Sequence, residues 1–219
     1  MKQPDQMSSV SENSLLTEVA AYYSQKLAVH GATPEGVDWN GATGQTTRFN
    51  QIHRLFEDRK TSFSINDIGC GYGALLDYLQ HRNSAANYLG LDISKEMIAS
   101  AIQRHKPSAG VRFLVSSIPD QIADYSVASG IFNVRMERTD DEWSAYLLDT
   151  LDVLESTSKS GFAFNCLSSY SDEDQKKNYL YYADPCQLFD RCKRRYSRHV
   201  TLLHDYGLYE FTILVRKEL

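Results

Sequence analysis

Three glycines at alternate positions, Gly69, Gly71 and Gly73, follow directly on the run Phe63-Ser64-Ile65-Asn66-Asp67-Ile68. A helix-compatible stretch, Ala74-Leu75-Leu76-Asp77-Tyr78-Leu79, begins immediately after them. Glycine supplies a tight turn and lets a ligand come close to backbone N–H groups at a helix start. A plain strand-to-helix turn needs fewer glycines than this. A second apolar run, Tyr88-Leu89-Gly90-Leu91, ends in Asp92. An acid at the tip of the second strand of a doubly wound sheet is placed to accept both hydroxyls of a ribose. The competing role for Asp92, capping the next helix, is already met by Ser94. The chemistry implied is recognition of a nucleoside-bearing ligand.

Positioning those residues requires a βαβ framework. From residue 62 short apolar runs alternate with helical stripes, which predicts a parallel sheet with helices wound on both faces. Strands are expected near 63–68, 87–92, 111–115, 126–132 and 161–167. Ser94 caps a helix carrying Met97, Ile98, Ala101 and Ile102. Thr139 and Glu142 form a capping box ahead of Trp143, Tyr146, Leu147, Leu151 and Leu154. Asp184-Pro185 opens a third helix. Residues 197–204 and 208–216 read as an antiparallel hairpin about a turn near Asp205–Gly207. The expected fold is therefore α/β, a seven-stranded mixed sheet with doubly wound helices and a C-terminal antiparallel hairpin.

The first sixty residues have a different texture. Residues 1–13 are polar and expected to fray. Leu15, Leu16, Val19, Ala20, Tyr23 and Leu27 recur at helical spacing. Gly31, Gly36, Gly41 and Gly44, with Trp39 among them, read as a loop, and a helix follows near 46–58. The organisation expected is an N-terminal helical cap over 1–60 and a Rossmann-like domain over 61–219.

Composition removes several function classes. Net charge is −5, with a pI near 5.7, so no global basic field awaits nucleic acid. The cluster Arg191, Lys193, Arg194, Arg195 and Arg198 closes a predicted helix, where positive charge is favourable in its own right. No apolar run approaches a membrane span, and the first residues lack a secretory pattern. Cys70, Cys166, Cys186 and Cys192 show no CxxC spacing, which reads as reduced thiols in a cytoplasm. No set of residues has metal-ligand spacing, so no metal is expected. The spacing G-x-G-x-G also differs from the G-x-G-x-x-G of dinucleotide oxidoreductases.

Asp67–Gly73 resembles the first motif of the class I S-adenosylmethionine-dependent methyltransferases, and Leu89–Ser94 resembles their second. The resemblance covers about 62–216. It implies S-adenosylmethionine as cofactor and S-adenosylhomocysteine as product. Gly69, Gly71 and Gly73 would line the methionine and ribose portion, with Cys70 filling space between them. Asp67 would order the loop or hold the amino group, Asp92 would bind the ribose hydroxyls, and Ile93 and Met97 would pack on adenine. Ser117 stands where the family often has an acid for the adenine amino group. Asn133, at the expected end of the fourth strand, would hold cofactor or substrate, or simply end the strand. Arg48 would pair with the cofactor carboxylate and Trp39 would shield the methionine chain; surface charge and core packing are the competing roles.

Methyl transfer from a sulfonium is chiefly a matter of alignment and water exclusion. An alcohol acceptor also needs a base, for which His30 and His204 are the candidates; a pre-formed anion does not. Seven of the fourteen tyrosines fall between Tyr170 and Tyr209. Tyr170, Tyr181, Tyr182 and Tyr206 are expected to wall the acceptor site, closed by Tyr22 and Tyr23 from the cap. The expected activity is methyl transfer to a small-molecule acceptor, to oxygen before nitrogen, with no nucleic-acid or membrane partner. A second reading is a non-catalytic cofactor-binding or partner subunit that keeps the fold.

Overall fold

The computed structural model describes residues 5–39, 41–59, 61–82, 86–106 and 108–217. The first four residues of the expected frayed N-terminus lie outside that set, and helix α1 runs over Asp5–His30. A short 3-10 turn at Pro34–Val37 leads to α2, Gly41–His53. The sheet region then alternates: β1 Phe63–Ile68, α3 Ala74–His81, β2 Ala86–Asp92, α4 Lys95–Arg104, β3 Val111–Val115 and β4 Ala123–Ala128. It ends with α5 Asp140–Ser156, β5 Ser158–Leu167, α6 Pro185–Arg195, β6 His199–Leu203 and β7 Glu210–Arg216.

The seven strands are ordered β3-β2-β1-β4-β5-β7-β6. Strands β1 to β5 pair in parallel, and β7 runs antiparallel between β5 and β6. Phe211, Ile213, Leu214 and Val215 on β7 are buried, which suits a strand with neighbours on both sides, whereas β6 is the half-exposed edge. The chain reverses direction through the sheet between β1 and β4, and a doubly wound sheet opens a crevice at the carboxyl ends of its strands there.

Alternation along the strands feeds two cores. Ala128, Phe162 and Phe164 pack with Leu147, Leu151 and Leu154 of α5 and Leu188 and Cys192 of α6 on one face. Val127 and Ala163 pack with Leu75, Leu76 and Leu79 of α3 and Phe49 and Ile52 of α2 on the other. The caps read from sequence are present. Ser94 Oγ accepts Met97 N–H at 3.1 Å, the Thr139–Glu142 box closes, and Asp184 accepts from Cys186 and Gln187.

Of the boundaries that differ from expectation, two bear on the cleft. Helix α2 starts at Gly41, inside the glycine-rich stretch, and ends at His53, because Phe49 and Ile52 must face the core. Strand β4 ends at Ala128, not at residue 132. Gly130 turns the chain at φ +83°, and Ile131 and Phe132 imitate a strand because Phe132 is buried from a loop. The segment at the strand tip is thus Ser129–Ile131.

Candidate active site

A cleft opens over the carboxyl ends of β1, β2 and β4. The glycine loop forms one wall. Leu91 O accepts N–H bonds from Gly69 and Cys70 at 2.7 and 2.8 Å, and Gly71 N–H donates to Asp92 Oδ2 at 3.0 Å. The loop is therefore folded onto the end of β2. A Cβ at Gly69 would sit 2.0 Å from Ile131 Cγ2, and its φ is +75°, so this position takes glycine on both counts. Leu16, Val19 and Tyr23 of α1 cross above, and Trp39 closes the side over Gly130.

Asp67 and Asp92 are the charged residues among the described lining, and no cationic side chain accompanies them. Asp67 is buried and accepts a 2.5 Å bond from Tyr88 Oη. Desolvation pushes its pKa up to about 7, partly offset by the Tyr88 bond. Desolvation likewise raises Asp92 to about 6, against the N–H bonds from Ser94 and Gly71. Desolvated carboxylates without a countercharge, Asp67 buried and Asp92 half-buried, are costly, and a cationic ligand with hydroxyl donors relieves both at once. Ser129 Oγ, at the tip of β4, also lines the cleft and is buried without a hydrogen-bond partner among the described residues. The acids, the glycine wall and the orphaned hydroxyl fit a cationic nucleoside.

Most of the residues expected to hold the cofactor meet here. Asp67, Gly69, Cys70, Gly71, Asp92, Ile93, Met97, Ser117 and Trp39 all line the cleft. Gly73 stands back from it, facing His105, whose Nε2 lies 2.9 Å from Gly73 O. Cys70 is buried, with its thiol 3.5 Å from Gly71 O.

Other residues are placed elsewhere. Arg48 is committed to Glu210 of β7, with Nε and Nη2 each 2.7 Å from a carboxylate oxygen, and it does not line the cleft. Asn133 is not at a strand tip. It lies in the loop beyond Gly130, donates to Glu210 at 3.3 Å and accepts Leu167 N–H at 3.1 Å. Neither His30 nor His204 lines the cleft: His30 ends α1, and His204 packs between the rings of Tyr170 and Phe211.

The tyrosines divide in the same way. Of the six proposed for the acceptor, Tyr23 lines the cleft. Tyr22 bonds to Asp38, Tyr170 is 67% exposed, and Tyr182 accepts Lys177 N–H. Tyr181 packs toward Trp143, and Tyr206 pairs with Thr212 at 3.0 Å. They are drawn off because the segment after β5 leaves the cleft: Ala183 N bonds back to Leu167 O and Tyr181 N to Asn133 O. Tyr146, Gln45, Ile131 and Ser129 were not anticipated. Tyr146 lies on the helical stripe of α5, where periodicity points to the core, and Ser129 falls inside the run 126–132 that the pattern reads as strand.

A mixed seven-stranded sheet with an acidic, glycine-walled nucleoside cleft at its switch point defines the class I methyltransferase architecture. A model of the methyltransferase domain matches residues 65–157. The Mycobacterium tuberculosis protein named putative methyltransferase Rv1506c is 60% identical over 155 residues, which are 71% of this chain and 93% of that one. Among solved structures, human N-acetylserotonin methyltransferase bound to S-adenosylmethionine superposes with a TM-score of 0.59 at 15% identity, over 91% of this chain and 57% of that one. The plantazolicin methyltransferase BpumL, bound to a substrate analogue and S-adenosylhomocysteine, gives 0.58 at 14% identity, over 93% and 98%. The chain belongs to the class I S-adenosylmethionine-dependent methyltransferases, and S-adenosylmethionine is its cofactor. Among the described residues no helix is long and apolar enough to cross a membrane.

Proposed function

We propose that the protein transfers the methyl group of S-adenosylmethionine to an oxygen of a small molecule with an apolar body. The observation that carries this is the wall left over once the acids are assigned: Leu16, Val19, Tyr23, Trp39, Ile131 and Tyr146 enclose an apolar, aromatic space beside the β4 tip. In this reading residues up to about 60 form a cap on the domain that follows.

S-Adenosylmethionine supplies an electrophilic methyl on a sulfonium. Asp92 accepts the ribose hydroxyls, and its bond to Gly71 N–H keeps the glycine wall within reach. Ile93 and Met97 flank adenine, and Ser117 receives its amino group. Asp67 faces the cationic end, held by Tyr88. Tyr23, Trp39 and Tyr146 exclude water, which strengthens these contacts. Among the described lining residues there is no histidine, and burial holds the Tyr23 phenol well above its usual pKa, hence neutral. The acceptor oxygen is accordingly one that ionises without help, as a carboxylate does.

Incubation with methyl-labelled S-adenosylmethionine and fractionated cell extract tests this. Label is expected in a small-molecule fraction and should be released by mild base, as from an ester. A base-stable product would overturn the carboxylate assignment. Label confined to protein or nucleic acid would overturn the small-molecule acceptor.

A further inference from the structure

Glu210 is 2% exposed, yet it belongs to neither the glycine loop nor the acids of the cleft. Four donors surround it: Arg48 Nε and Nη2, Asn165 Nδ2 at 2.7 Å, and Asn133 Nδ2 at 3.3 Å. Asn165 Oδ1 in turn accepts Gly130 N–H at 2.8 Å. The network thus fixes both the guanidinium and the backbone of Gly130. Trp39 lies between those two anchors. Arg48 Cζ stands 4.8 Å from the indole centroid, and a Cβ on Gly130 would meet the indole at 2.8 Å. Phe49 abuts the same ring edge-on, with centroids 5.7 Å apart.

We propose that Arg48 and Glu210 are positioning residues that hold Trp39 as a fixed wall of the acceptor space, and that Trp39 selects acceptor shape. The inference rests on the cleft holding cofactor and acceptor side by side, as argued above. A guanidinium clamped bidentately keeps one plane, so the indole stacked on it keeps one orientation. Gly130 follows Ser129 at the β4 tip, so the ring shares the cleft with the Ser129 hydroxyl, which is buried without a partner among the described residues. Because Glu210 carries four donors, it is a clamp and not a base. Removing Arg48 alone would strand a buried carboxylate, so the pair is best neutralised together as Arg48→Met/Glu210→Gln.

The chain has two tryptophans, and Trp143 is fully buried, so acrylamide quenching of the folded protein reports Trp39. Quenching should increase in Arg48→Met/Glu210→Gln, with circular dichroism unchanged. Unaltered quenching in a folded variant would overturn the clamp. If the paired change fails to fold, Glu210→Gln alone serves, since the amide retains an acceptor for Arg48 and weakens the clamp more gently. With the extract fraction that takes up label, Trp39→Phe and the paired variant should each raise the apparent KM about tenfold, as misplacement of a positioning wall does. The triple variant should add nothing further, and the rise in acceptor KM should exceed any fall in S-adenosylhomocysteine affinity. Additive effects, or a parallel loss of S-adenosylhomocysteine affinity, would overturn the proposal. Failure of the wild type to label any small-molecule fraction would instead overturn the proposed function, and the quenching arm would still decide the clamp.

Discussion

The two N-terminal helices both reach the cleft, but they are held by opposite means. Helix α2 is tied to the sheet by a buried ion pair and by Phe49 and Ile52 inside a core cluster. Its polar side chains continue the attachment: Gln45 bonds to Tyr72 at 2.9 Å, and Asn50 accepts from Tyr78 and Arg82. Helix α1 rests on a small cluster in which Leu15 and Val19 meet Trp143. Its further links among the described residues include Ser24 to Ser94 and Glu96, Glu18 and Ser14 to Arg138, and Tyr22 and Lys26 to Asp38, mostly at or near the surface. Surface ion pairs contribute about 0–1 kcal/mol, whereas breaking one partner of a buried pair costs about 3–5 kcal/mol. The α2 side is thus built as part of the domain, while α1, over its described side chains, is held more lightly than α2. A ligand that reaches the cleft past α1 disturbs only that lightly held face.

The sharpest way to break this comparison is Arg48→Met. It leaves Glu210 buried with its amide donors but no countercharge, and global stability should fall by about 3–5 kcal/mol in denaturant unfolding. A loss near that expected for a surface pair would place α2 in the same class as α1. Leu15→Ala probes the other side. Leu15 is buried against Trp143, and truncation should cost about 2–3 kcal/mol locally. The loss should appear as faster amide exchange in α1, with α2 protection unchanged. Exchange rising equally in both helices would mean they move as one unit.

Much of this contrast was legible in the sequence, and some was not. The glycine wall and Asp92 were readable because their chemistry is local: a strand, a turn and a helix start lie within a few residues of each other. The apolar stripe of α1 was equally readable, since periodicity alone reveals it. Arg48 was not, because its partner is 162 residues away and becomes a neighbour only when β7 inserts beside β5. The tyrosines misled for the opposite reason. Their clustering in sequence is real, but the segment after β5 distributes them over the outer surface, the Trp143 cluster and the hairpin. Asn133 was displaced by a single feature, Gly130 ending β4 while the apolar residues behind it continued the pattern.

The acids beneath the roof give a pH test of intermediate size. Both are raised above the ordinary 3.8, Asp67 to about 7 and Asp92 to about 6. The folded, ligand-free protein therefore binds more protons than the unfolded chain between about pH 4 and pH 7. These two groups alone make it less stable as pH rises through that window. A cationic ligand requires both acids ionised, so its affinity should run the other way. S-Adenosylmethionine binding by calorimetry should weaken about tenfold or more from pH 8 to pH 5, since each unit below a pKa costs about 1.4 kcal/mol. The groups facing these acids, Tyr88, Cys70 and Tyr23, have pKa values raised by burial and stay neutral over this range. A flat profile would mean that the acids are already ionised in the free protein. Asp92→Asn should remove the lower part of the dependence and leave the part belonging to Asp67.

The smallest expected effect is the most discriminating for the roof. Arg138 bonds Glu18 and Ser14 on α1 and lies near Glu142 on its own side. Glu18 is about half exposed, so water competes for the pair and salt screens it. Arg138→Ala should change global stability by no more than about 1 kcal/mol. The same change removes polar links from α1 to the body of the protein, leaving the Leu15–Val19 contact, the Ser24 bonds and the bonds of Tyr22 and Lys26 to Asp38. Release of S-adenosylhomocysteine, followed by stopped-flow fluorescence, should therefore accelerate by about threefold to fivefold, the kinetic equivalent of up to 1 kcal/mol. Adding salt to the wild type should reproduce part of that acceleration and do less to the variant. Unchanged release with unchanged stability would show that α1 is not the route, and would move the entrance to the side of the cleft that Trp39 closes.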